Sequence, residues 1–86
     1  MLTINKSDVM NFALLEAKSE ERKLRNQISF FENKYSSNYS DFLISIKSDS
    51  DFQKENDYID WTATIEFLKQ CQLKIADLES GNFNIA

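Results

Sequence analysis

Any chemistry in this chain rests with a narrow set of side chains. It has 14 Asp and Glu residues, one cysteine (Cys71), three tyrosines and no histidine. Without histidine there is no Ser–His or Cys–His couple to generate a nucleophile. One cysteine can build neither a Cys/His zinc cluster nor an internal disulfide. Cys71 sits at the edge of an apolar stripe, the setting of a small buried hydrophobe rather than of a reactive thiol. The carboxylates are densest at Asp49, Asp51, Glu55, Asp57 and Asp60, where only Lys54 supplies a cation. Asp49, Asp51 and Glu55 have a passing likeness to a calcium loop, but the run lacks the glycine and the terminal Glu spacing of an EF-hand. No Gly-rich phosphate loop or nucleophile elbow accompanies them. The expectation is a protein without catalysis, metal or cofactor. Its acidic run is then either a solvated helix start or a surface offered to a basic partner.

Size and charge sharpen this. The 86 residues are read as a single helical domain, 1–86, and a core of that size supplies only ~3–5 kcal/mol on its own, which favours association. A net charge of -4 argues against direct nucleic-acid binding, which needs a surplus of Lys and Arg over acids. The acidity is uneven, with residues 1–40 near balance and residues 41–86 carrying most of the excess. The longest apolar run near the N-terminus, Phe12 to Leu15, is too short for a signal-peptide core or a membrane span, so a cytoplasmic location is expected.

The elements that must position these groups are helices. There is no proline and a single glycine, Gly81, so nothing forcibly breaks a helix before residue 80. In the first segment Met10, Leu14, Ala17, Glu21, Leu24, Ile28, Phe31 and Tyr35 step alternately by four and three, the spacing of an a/d seam. This predicts a first helix over about 8–35, starting at Ser7 or Asp8. Tyr58, Trp61, Ile65, Leu68, Gln72, Ile75 and Glu79 predict another helix over about 57–80, capped by Asn56 and Asp57 and ended by Ser80-Gly81. Ser50 ahead of Asp51-Phe52-Gln53 also offers a capping-box start, hence an earlier beginning or a one-turn prelude. Between them Phe42, Leu43 and Ile46 share a face, which predicts a short helix over about 40–47. Residues 81–86 are read as a flexible tail.

Two long amphipathic helices with a compact connection fold back as an antiparallel hairpin, because otherwise both stripes stay wet. The predicted core is Leu14, Leu24, Ile28, Phe31, Tyr35, Trp61, Ile65, Leu68 and Ile75. The proposed register sets Phe31 beside Trp61, Ile28 beside Ile65, Leu24 beside Leu68 and Ala17 beside Ile75. It would also pair Glu21 with Gln72 in one polar layer. Val9, Phe12 and Leu15 lie off the seam, as do Phe30, Phe67 and Leu73. An uncovered patch of that kind is an association site, and pairing into a four-helix-bundle dimer is the simplest way to cover it. The predicted partner-binding residues are therefore Val9, Phe12 and Leu15, with the acids Asp49, Asp51, Glu55 and Asp57.

The order Phe31-Glu32-Asn33-Lys34-Tyr35, Ser40-Asp41-Phe42 and Asp57-Tyr58-Ile59-Asp60-Trp61-Thr62-Ala63 resembles that of small acidic helical antitoxin-like proteins encoded beside a toxin partner in prokaryotic toxin–antitoxin pairs. The resemblance spans roughly residues 24–78. It implies a protein–protein interaction module that binds and neutralises a basic, nuclease-like toxin and has no catalysis of its own. The alternative is a homo-oligomeric structural or adaptor module.

Overall fold

The computed structural model describes residues 5–48 and 52–81. These form three helices and no strand: α1 (Lys6–Tyr35), α2 (Tyr39–Ser48) and α3 (Phe52–Ser80). The long helices α1 and α3 pack against each other, and the short α2 packs on α3. Ala17 meets Cys71 while Phe31 meets Trp61, so residue numbers run oppositely along the pair and the hairpin is antiparallel, as expected.

The boundaries follow from local chemistry. α1 starts earlier than Ser7 because Asn5 is the cap: its Oδ1 accepts from the Asp8 N–H at 2.9 Å. α1 stops at Ser36, whose φ of 48° and ψ of 45° place it in the left-handed region. The N–H of Ser36 and that of Ser37 both turn back to the Glu32 carbonyl, the latter at 3.1 Å. After this break Asn38 caps α2, accepting the Asp41 N–H at 2.8 Å.

α3 begins at Phe52, five residues before the expected start at residue 57. Asp57 does not cap because its carboxylate is turned inward and used elsewhere. Asp49 and Asp51 lie outside the described residues, as do positions 82–86 of the expected tail.

The α1 seam runs where its spacing places it. Ala17, Leu24 and Phe31 are buried, with Met10, Leu14, Glu21, Ile28 and Tyr35 half-buried between them. The α3 seam is offset at alternate steps. Asp57, Trp61, Thr64, Cys71, Ile75 and Leu78 are its buried positions and Leu68 is half-buried. Tyr58, Gln72 and Glu79, expected inside, are exposed instead. The offset is affordable because the polar members are satisfied internally: Thr64 Oγ1 donates to the Asp60 carbonyl at 2.7 Å, and Asp57 is ion-paired. The Glu21–Gln72 layer does not form. Glu21 meets Arg25 one turn along at 3.6 Å, and Cys71 takes the inward position at that level.

Two buried clusters result. Ala17, Leu24, Cys71, Ile75 and Leu78 form one toward the free ends of the hairpin, with Leu14 and Leu68 against it. Phe31, Phe42 and Trp61 form the other near the turn, with Ile28, Tyr35, Tyr39, Ile46 and Ile65 against it.

Candidate functional site

One of the acids expected to face a partner, Asp57, is turned into the hairpin. Asp57 is only 6% exposed. Lys34 Nζ lies 2.6 Å from its Oδ2, and the Tyr35 hydroxyl donates to the same oxygen. Lys34 and Tyr35 end α1, so the carboxylate ties the end of one long helix to the start of the other. Asp57 is thus engaged within the hairpin rather than presented at its surface. Of the connector acids, Glu55 is described and exposed. Among the described residues no three His, Cys, Asp or Glu side chains converge as metal ligands would.

Beside this pair the aromatic cluster closes around Trp61, which is wholly buried. Phe31 stacks on the indole at 5.5 Å and 15°, Phe42 lies at 4.9 Å, and Tyr39 approaches edge-on at 5.5 Å. Tyr39 Oη also meets Thr62 Oγ1 at 2.5 Å, which pins α2 to α3. The indole Nε1 finds no hydrogen-bond partner within the described residues. The interior of this region is packed for cohesion. Tyr58, grouped with the aromatic core by the sequence, stands partly exposed outside it.

The other predicted residues lead to a different place. Phe12 is 67% exposed and Leu15 74%, whereas Val9 is half-buried. Phe12 and Leu15 line a groove of about 810 Å³ whose opposite wall is formed by Phe67, Gln70 and Lys74 of α3, with Cys71 at its floor. A second groove of about 500 Å³ continues it along α1 to Phe30 and shares Glu20, Lys23 and Leu24 with the first. At ~100° per residue, Thr62 and Ile65 turn to one flank of α3 and Phe67, Gln70 and Lys74 to the other. α2 covers the turn end of the first flank, beyond which Leu73 is exposed, and leaves the second open. The hairpin thus has one helix-covered face and one open face, and the exposed phenylalanines Phe12, Phe30 and Phe67 belong to the open one.

Cys71 reaches the groove without being poised to react. Its thiol donates to the Ala17 carbonyl at 3.2 Å. Burial pushes its pKa up, the Glu21 and Glu20 carboxylates add to that, and Lys74 opposes them. The protonated thiol therefore persists at neutral pH.

Ile44 and Ile59 are exposed apolar residues that the seam spacing did not single out. Their signal was an apolar residue off the seam, the same one that marked Phe12 and Phe30. The fold is that of an all-helical hairpin with one open apolar face. No family model, curated protein or solved structure matches the chain. Among the described residues no helix is long and apolar enough to cross a membrane.

Proposed function

We propose that this chain is a non-catalytic protein–protein interaction module that works through the open face of the hairpin. The observation that carries this reading is the exposure of Phe12, Leu15 and Phe67 around one groove between the long helices. Burying each such side chain in a partner is worth ~1.5–3 kcal/mol, and monomers seldom leave a contiguous patch of them wet. The antitoxin-like role is the narrower form of this proposal. It adds a basic partner to the acids Asp49, Asp51 and Glu55, without Asp57.

The test is purification of the native chain from its own cells beside Phe12→Asp and Leu15→Asp variants, with mass identification of what travels with each. Association that both variants lose, with circular dichroism unchanged, supports the reading. Association and solubility indifferent to both substitutions would overturn it. For the antitoxin-like form, a toxin-like protein encoded nearby should co-purify and raise the melting temperature; a neighbour that does neither removes that form.

A further inference from the structure

The open face has an internal symmetry that says what fits it. Phe12, Ser19, Lys23 and Phe30 are all exposed and follow one line along α1, separated by seven, four and seven residues. Reversed end for end about residue 21, this line superposes on itself: Phe12 on Phe30 and Ser19 on Lys23. The two grooves adjoin at Glu20, Lys23 and Leu24, close to that centre, and reach Phe12 on one side and Phe30 on the other. In an isologous contact about that centre each residue meets the one the same distance beyond it, so Phe12 would face the other copy's Phe30 and Ser19 its Lys23, an apolar pair at each end and polar residues between.

Charge points the same way. The main groove is lined by two acids, Glu16 and Glu20, and two lysines, Lys23 and Lys74. This balance suits a copy of itself better than a strongly basic ligand. Area allows it as well. α1 is ~45 Å long and the molecule is 20 Å across, so the face offers on the order of 900 Å², against ~800 Å² per partner in a standard interface.

Building on the reading of this face as a docking surface, we propose that its occupant is a second copy of this chain, with α1 antiparallel to α1 about a two-fold axis near residue 21. Phe12 of each copy then packs on Phe30 of the other, and Glu20 of each lies beside the other's Lys23. The product is a four-helix bundle whose two outer faces carry α2.

Sedimentation equilibrium of the full chain tests this, supported by zero-length carbodiimide cross-linking of mixed ¹⁴N and ¹⁵N copies. The expected result is a dimer. Phe12→Asp and Phe30→Asp should each raise its Kd by about tenfold or more with helix content kept. Glu20→Lys and Lys23→Glu should each raise it about fivefold, and the double swap should restore it to within about twofold. Cross-links should join Glu20 of one isotope to Lys23 of the other. Because Glu20 and Lys23 are exposed, the swaps remain informative if either Asp variant unfolds.

A monomer at about 100 µM, a dimer indifferent to Phe12 and Phe30, or swaps that do not rescue each other would each overturn the proposal. A monomer that still loses a co-purifying protein on Phe12→Asp overturns the second copy alone. A monomer for which that substitution changes nothing overturns the docking face as well.

Discussion

The two ends of the hairpin solve the same packing problem differently. Near the turn, three helices surround Trp61, and Phe31, Phe42, Tyr35 and Tyr39 fill the space while Lys34 and Tyr35 hold Asp57. Toward the free ends the described residues belong to α1 and α3 alone, and small side chains, Ala17 and Cys71, let their backbones approach closely. The first end is closed on itself. The second is a thin layer with a groove along its flank. Cohesion and availability are thus divided along one pair of helices, so the same class of substitution should have opposite consequences at the two ends.

The sharpest way to break this contrast is at Trp61. Trp61→Ala should destabilise the chain by ~3–5 kcal/mol in urea unfolding. Trp61→Phe should cost much less, because it keeps the ring packing and removes a buried indole N–H that has no partner among the described residues. Next comes Asp57→Ala, with a loss of ~2 kcal/mol, moderated because Lys34 is partly exposed and can turn to solvent. Equal costs for Trp61→Ala and Leu15→Asp would erase the distinction between the ends.

On the open face, Leu15→Asp should change stability of the isolated chain by no more than ~0.5 kcal/mol while removing association. At the α1 stop, Ser36→Gly should stabilise by up to ~1 kcal/mol, since glycine adopts the left-handed conformation without strain.

Cys71 gives a pH readout of the free end. Its folded-state pKa is raised, so the unfolded chain releases the proton first as pH climbs. The thiol's contribution to stability is complete below the ordinary value near 9.0 and is lost as pH rises through the higher folded value. Stability measured upward from about pH 9 should fall in the native chain and fall less in Cys71→Ala. A native thiol alkylated as fast as a free one would show that this end opens readily.

Much of this was legible in the sequence, because α1 obeys a single rule. Seven of its eight seam positions are apolar or aromatic, so spacing alone fixes its orientation. α3 was harder because Tyr58, Ile59, Ile65, Phe67 and Leu73 place apolar groups nearly all round it. Hydrophobicity favoured Tyr58 over Asp57 and Ile65 over Thr64, yet the polar residue faces inward in both pairs. What decides them is a partner far away in sequence, Lys34 for Asp57, or a backbone carbonyl one turn back for Thr64; neither leaves a periodic trace. The groove's apolar residues were visible as leftovers from the seam. That they gather on the flank which α2 does not cover needed the packing of α2.

The distribution of aromatic types has a practical consequence. The only tryptophan and all three tyrosines of the chain lie between Tyr35 and Trp61, whereas the open face carries phenylalanine alone among aromatics. Ultraviolet emission from this molecule therefore reports the closed end and is nearly blind to the Phe12 end of the groove. Folding can be followed by intrinsic fluorescence while a partner is titrated onto the Phe12 end, whereas one that reaches Phe30, whose ring lies 5.6 Å from Phe31, is sensed near Trp61.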